Sequence, residues 1–177
     1  MRVLFLGDVV GRVGREAVID HLPGVIRTIS PDFVVCNGEN AAGGFGITGK
    51  ICRELYDAGV DVVTTGNHIW DQREIITYIE TDTNLLRPLN FPEGTPGRGI
   101  GVYQTRNGHR VAVINVMCRL FMDPLDDPFA AVERAIESLT LGDTVDFILI
   151  DLHGEATSEK MAFGHAFDGR VSLVVGT

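Results

Sequence analysis

The chain has 177 residues, 45% hydrophobic and 22% charged, a balance typical of a globular domain with a sizeable core. Its net charge is −9 and it has no run of lysine or arginine, which argues against a broad surface for duplex nucleic acid. The three cysteines form no Cys-x-x-Cys pair, so we expect a protein of the reducing cytoplasm. No segment approaches the ~20 apolar residues of a membrane span, so we expect no membrane partner. The length predicts one domain over residues 1–177.

Short runs of apolar and β-branched residues predict six buried strands. In chain order they cover residues 2–6, 32–36, 60–64, 111–115, 145–150 and 171–175. Segments with helical spacing lie at residues 13–29, 48–59, 71–79 and 128–139. Strands that alternate with helices predict an α/β fold with a largely parallel sheet, and Asn107-Gly108 between two apolar runs predicts a hairpin that adds an antiparallel portion.

Polar residues follow four of the predicted strands. Taken singly, each has a structural explanation, such as a helix cap for Asp8 or a turn for Asn67. Because the carboxyl ends of parallel strands form the ligand crevice of open α/β sheets, we expect the four groups to converge there. The groups are Gly7-Asp8, Gly38-Glu39-Asn40, Gly66-Asn67-His68 and Asp151-Leu152-His153-Gly154-Glu155.

The predicted cluster offers oxygen and nitrogen donors, which suit Mn, Fe or Zn, and it lacks a thiol. Neighbouring glycines let the backbone approach a ligand. One carboxylate can bridge two metal ions, and Glu39 is the candidate bridge. His68 follows a candidate ligand directly and is placed to protonate a leaving oxygen, with a second metal-ligand role as the alternative.

The glycine-rich stretch 44-GFGITGKI-51 resembles the start of a phosphate-binding loop, GxxxxGK. Ile51, however, stands where a serine or threonine hydroxyl would hold magnesium. We therefore favour a loop followed by a helix that Thr48 caps, and keep a nucleotide-binding loop as the alternative. Phe45 and Trp70 either line a base-binding wall or serve only in packing. The remaining histidines are predicted to be solvated, and they are His21, His109 and His165.

The motifs Gly7-Asp8-Val9-Val10-Gly11, Gly38-Glu39-Asn40, Gly66-Asn67-His68 and Asp151-Leu152-His153-Gly154-Glu155 resemble those of the calcineurin-like metallophosphoesterases. More closely, they resemble the bacterial 2′,3′-cyclic-nucleotide 2′-phosphodiesterases. This resemblance implies an α/β fold in which a two-sheet β-sandwich with mixed sheets is flanked by helices, as four αββα layers. It also implies two divalent or trivalent metal ions, with iron or manganese expected and zinc as the alternative.

Carried over by position, the resemblance implies that Asp8 and Asn40 bind the first metal, Glu39 bridges, and Asn67 and His153 bind the second. A metal-bridging hydroxide would attack phosphorus, and His68 would be the proton donor. The implied substrates are small phosphodiesters or nucleotides, such as 2′,3′-cyclic nucleotides or RNA ends. A homo-oligomer is compatible with the sequence, which leaves the oligomeric state open.

Three departures from the family pattern bear on this expectation. Val10 stands where the broader superfamily has a histidine, and Glu39 replaces its bridging aspartate, as in the subfamily. The family follows its last strand with Gly-Thr-His-x-His, which supplies two further ligands, whereas this sequence ends at Gly176-Thr177. We therefore expect a chain shortened at its C-terminal end, and keep a non-catalytic metal- or nucleotide-binding fragment as the alternative.

Overall fold

A computed structural model describes all residues from Met1 to Thr177. The chain forms two four-stranded sheets with the orders β1-β2-β3-β4 and β5-β6-β7-β8. The strands are β1 (Val3–Leu6), β2 (Phe33–Asn37), β3 (Val62–Thr64), β4 (Leu85–Leu86), β5 (Ile100–Gln104), β6 (Arg110–Met117), β7 (Phe147–His153) and β8 (Leu173–Gly176). The helices are α1 (Gly11–Ile29), α2 (Gly49–Asp57), α3 (Ile75–Tyr78), α4 (Pro128–Ile136) and α5 (Thr157–Ala166), with a 3-10 turn at Asn67–Trp70.

The first sheet is entirely parallel, as predicted. The hairpin at Asn107-Gly108 is also confirmed, because β5 and β6 pair in antiparallel register on either side of it. That hairpin does not extend the first sheet. It belongs to the second sheet, in which β6, β7 and β8 are parallel.

The layers follow from the alternation of side chains along each strand. On β2, Phe33 and Val35 contact the second sheet, where Val113 belongs to the same buried cluster. Val34 and Cys36 point the opposite way, into a cluster shared with helices α1 and α2. A third cluster joins the outer face of the second sheet to α4 and α5. These clusters give four layers, so the predicted αββα sandwich with mixed sheets is confirmed.

Several local predictions need correction. Strands β1 and β8 are only partly buried rather than buried on both faces, because each lies at the edge of its sheet. Asp71 was predicted to begin a helix, but it closes the 3-10 turn, and α3 starts at Ile75. Helix α5 and the two-residue strand β4 had no predicted counterpart. No helix is both long enough and apolar enough to cross a membrane.

Candidate active site

The carboxyl ends of β1, β2, β3, β7 and β8 meet around one cleft of about 420 Å³. Of the 11 residues that line it, only one is hydrophobic, so the cleft suits a polar or charged ligand. All six site residues predicted from the sequence are among them. The complete set is Asp8, Val10, Glu39, Asn40, Asn67, His68, His153, Gly154, Glu155, Lys160 and Thr177.

Glu39 lines this cleft and is only 2% exposed. The Asn40 side-chain amide donates a hydrogen bond to Glu39 Oε1 at 2.9 Å. His153 Nε2 lies 3.1 Å from the same oxygen, and the backbone N–H of His68 donates to Oε2 at 3.3 Å. The two Glu39 oxygens therefore contact Asn40 after β2, His68 after β3 and His153 at the end of β7.

His153 is the second buried member of the site, with 7% of its surface exposed. Its Nε2 also lies 3.1 Å from Asn67 Oδ1, so Glu39, Asn67 and His153 converge on one point. This closeness requires Gly66, because a Cβ there would lie 2.2 Å from Glu39 Oε2 and 2.3 Å from His153 Cδ2. A residue with any side chain at position 66 would displace two of the converging groups.

Glu39 and His153 shift each other's protonation. Burial alone would raise the pKa of Glu39 and lower that of His153. Their hydrogen bond and opposite charges outweigh burial, so the pKa of Glu39 lies below its ordinary value and the pKa of His153 lies above it. Each group therefore favours the charged form of the other.

A buried network behind His153 sets the orientation of its ring. The Thr177 hydroxyl donates to Asp151 Oδ1 at 2.7 Å, and His153 Nδ1 lies 3.1 Å from that hydroxyl. Because the hydroxyl has a single proton and gives it to Asp151, His153 Nδ1–H must be the donor to Thr177. Nε2 is then the nitrogen presented to the cleft, as a metal ligand requires.

Asp151 anchors this network between the two sheets. It is fully buried and accepts hydrogen bonds from Thr64 at 2.5 Å and Asn37 at 3.0 Å, both in the first sheet. Burial raises the pKa of Asp151, although these hydrogen bonds favour its charged form. The network ties β7 to β2 and β3 directly beneath the cleft.

Asp8 enters the site from the end of β1 with an unusual backbone. Its φ of 42° lies in the left-handed region, which residues other than glycine rarely adopt. The flanking amides hold it there, since Val9 N–H donates to the Asn37 carbonyl at 3.0 Å and Gly11 N–H to the Asn40 carbonyl at 2.8 Å. Strain of this kind clusters at functional sites, where the surrounding structure maintains it.

His68 lines the cleft from the 3-10 turn. Its Nδ1 lies 2.7 Å from Asp71 Oδ2, which leaves Nε2 as the ring nitrogen available to a ligand. Its ring also meets Phe45 edge to face, with centroids 5.2 Å apart. The sequence predicted that Asp71 begins a helix. In the structure Asp71 orients the His68 ring instead.

The donors fit a metal ion chemically. Metal–ligand distances of about 2.0 to 2.2 Å place neighbouring ligand atoms roughly 3.0 to 3.5 Å apart. The separations of 3.1 Å from His153 Nε2 to Glu39 Oε1 and to Asn67 Oδ1 match that range. No three histidine, cysteine, aspartate or glutamate side chains form a metal-ion cluster by themselves. A metal here would therefore depend on the amide oxygens of asparagine.

Sequence reasoning missed several residues that matter to the site. Asp151 belongs to a motif that predicts the site, but its type and position indicate no role of their own, and Gly66 is recognisable only as a small neighbour of Asn67. Thr177 stands out only as part of the Gly-Thr pair that begins the last family motif, and Lys160 carries no local signal. Lys160 is the one lysine or arginine that lines the cleft, and it reaches it from α5. The predicted solvated histidines His21, His109 and His165 are all exposed.

A family model described as "YmdB-like protein" matches residues 4–177. The chain belongs to the YmdB-like family. It is 50% identical over 177 residues to the 2′,3′-cyclic-nucleotide 2′-phosphodiesterase of Bacillus subtilis (strain 168), and the match covers all of this chain and 66% of that relative. The resemblance inferred from the motifs is thereby confirmed.

Two crystal structures show the same fold as this YmdB-like chain. A protein from Thermus thermophilus superposes with a TM-score of 0.92 at 48% identity, over all of this chain and 67% of that one. A phosphatase from Mycoplasma pneumoniae gives a TM-score of 0.89 at 32% identity, over all of this chain and 63% of that one. The chain thus spans about two thirds of the length of these relatives.

Proposed function

We propose that this chain supplies the active site of a phosphodiesterase that hydrolyses small phosphodiesters, such as 2′,3′-cyclic nucleotides, with the help of two metal ions. One observation carries the proposal. Glu39 is buried, lines a polar cleft, and has both carboxylate oxygens in contact with groups of Asn40, His68 and His153, which follow or end three different strands. A carboxylate in that position is otherwise costly to bury.

The chemistry of the donors suggests how metal ions would be held. Asp8 and Asn40 would bind one, Asn67 and His153 would bind the other, and Glu39 would bridge. Iron or manganese suits this mixed set of oxygen and nitrogen donors, with zinc as the alternative. When bound, such ions would neutralise phosphate charge and lower the pKa of water.

The remaining cleft residues have roles toward the substrate. Lys160 offers a positive charge to the phosphate in a cleft that also contains Asp8, Glu39 and Glu155. His68, held by Asp71 through Nδ1, would donate a proton to the leaving ester oxygen while water adds to phosphorus on the opposite side.

The nucleotide-loop alternative finds less support. Thr48 caps helix α2 by accepting from the backbone N–H of Ile51 at 3.2 Å, as expected for an ordinary helix start. Lys50 is exposed and lies 3.7 Å from Glu54 on the same helix. It does not line the cleft, so it is poorly placed to bind a phosphate held there.

The test combines metal content with hydrolysis. After loading with manganese, the chain should retain about two ions and hydrolyse 2′,3′-cyclic AMP, as expected for a two-metal site. Glu39→Gln should lose both properties, whereas Glu133→Gln on the exposed face of α4 should lose neither. His68→Ala should keep the metal and slow turnover by ~10² to 10⁴-fold.

Other outcomes would redirect the assignment. Bound metal without hydrolysis in the unmodified chain would favour the non-catalytic binding fragment. Loss of metal in His68→Ala would make His68 a ligand. ATP binding that disappears in Lys50→Ala would favour the nucleotide-binding loop. The cytoplasmic location and the RNA-derived substrate stay predictions.

A further inference from the structure

An exposed aromatic ring stands beside the candidate proton donor. Phe45 is 59% exposed, and its centroid lies 5.2 Å from that of His68, at an interplanar angle of 68°. It belongs to the loop between β2 and α2. The ring is thus exposed next to a residue that lines the cleft and does not belong to the core.

The loop fixes the position of this ring. Gln72 Nε2 donates to the Phe45 carbonyl at 2.9 Å, and Ala42 N–H donates to the Gly46 carbonyl at 2.9 Å. Gly46 has a φ of 79° and packs so closely that a Cβ would lie 2.9 Å from Gln72 Cγ. The Phe45 carbonyl and the following Gly46 are therefore held against the segment that follows His68.

The other aromatic candidate is used differently. Trp70 is partly buried and meets Phe91 edge to face at 5.8 Å, within the cluster beneath α1 and α2. Its ring takes part in packing, so it does not offer a free face to a ligand. Of the two aromatic residues considered from the sequence, only Phe45 has an exposed ring in contact with a residue of the cleft.

We propose that Phe45 is a specificity-determining residue that stacks on the nucleobase of the substrate. The inference rests on the proposed function. In a nucleotide whose leaving oxygen is beside His68 the base is one ribose ring away, and Phe45 offers an exposed ring 5.2 Å from the ring of that histidine. Aromatic side chains stack on any base, because every base offers a π-face. Phe45 therefore selects nucleotides over phosphodiesters without a base, and does not distinguish between the four bases.

The experiment compares two ligand pairs on the manganese-loaded chain. Hydrolysis is measured for 2′,3′-cyclic AMP and for the base-free 2′,3′-cyclic phosphate of 1-O-methylribose. Equilibrium binding is measured by calorimetry for adenosine 3′-monophosphate and for ribose 3-phosphate. The variants are Phe45→Ala, Phe45→Trp, which keeps an aromatic face, and Phe45→Leu, which keeps apolar area without one.

Phe45→Ala should raise KM and Kd for the nucleotides by ~5- to 150-fold, the factor that matches the loss of one stacked base. The ratio of kcat/KM for 2′,3′-cyclic AMP to that for the base-free substrate should fall by the same factor, and Kd for ribose 3-phosphate should stay unchanged. Phe45→Trp should restore nucleotide affinity, and Phe45→Leu should restore less.

Equal loss for both ligand classes, or no loss for either, would overturn the stacking role. So would a wild-type chain that binds the base-free ligand as tightly as the nucleotide. The two proposals separate cleanly. If the chain binds nucleotides through Phe45 but hydrolyses neither substrate, stacking is supported and the phosphodiesterase proposal is refuted. If the chain hydrolyses both substrates with equal efficiency, the phosphodiesterase proposal is supported and stacking is refuted.

Discussion

Replacing Gly66 with alanine gives the most direct test of how tightly the site is built. Gly66 has a φ of −162°, outside the left-handed region that favours glycine, so the effect of the change comes mainly from the added Cβ. The new Cβ would lie 2.2 Å from Glu39 Oε2 and 2.5 Å from His153 Nε2. Since non-bonded atoms prefer separations of ~3.5 to 4.0 Å, both side chains must move by about 1 Å.

The surroundings leave little room for that movement. Glu39 and His153 are 2% and 7% exposed, and Thr177 holds the far side of the His153 ring. Overpacking of this kind costs ~1 to 3 kcal/mol, which lowers Tm by roughly 2 to 4 °C for each kcal/mol in a chain of this size. A displacement of about 1 Å in a catalytic group can cost ~10²-fold in rate.

The assays are urea unfolding, manganese retained after gel filtration, and hydrolysis of 2′,3′-cyclic AMP. Gly164→Ala is the matched control, because a Cβ there meets nothing within 4 Å and α5 should gain up to ~1 kcal/mol from the higher helix propensity of alanine. Gly66→Ala should lose metal and activity while it remains folded. A Gly66→Ala chain with unchanged manganese content and rate would refute the close convergence of Glu39 and His153.

Three further predictions follow from the buried groups. Thr177→Val should weaken manganese binding by ~10- to 100-fold, because His153 Nδ1 loses its hydrogen-bond acceptor. Thr177→Ser keeps the hydroxyl and should bind manganese normally. Equal manganese affinities of the two variants would contradict the orienting role of Thr177. Manganese binding should strengthen as pH rises through and above 6.5. Glu39 raises the pKa of His153 above that ordinary value, and His153 must lose its proton before it can bind metal. Manganese affinity that does not change with pH in equilibrium dialysis would contradict a histidine ligand. Burial raises the pKa of Cys36 to about 12 and that of Cys118 to about 11, so no thiol of the native chain should react with Ellman's reagent at about pH 8, while all three should react in denaturant.

The buried strands and the polar residues that follow them could be read from the sequence, because both signals are local. A run such as 33–36 is apolar on both faces, which predicts a strand covered on both sides. Parallel strands place their carboxyl ends at one edge, so Asp8, Glu39 and Asn67 were expected in a shared cleft. Their presence in one cleft agrees with that reasoning, although their roles as ligands stay predictions.

Only the tertiary structure decided how the second sheet completes the site. The hydrogen bond from Asn37 to Asp151 spans 114 residues, and the contact from Asn37 to Thr177 spans 140. Such contacts depend on how one sheet is stacked on the other, and side-chain periodicity along a strand says nothing about that offset. The orientation of His153 by Thr177 depends on that stacking. The contact between the rings of Phe45 and His68 depends on loop packing, which decided between the two roles that the sequence left open for Phe45.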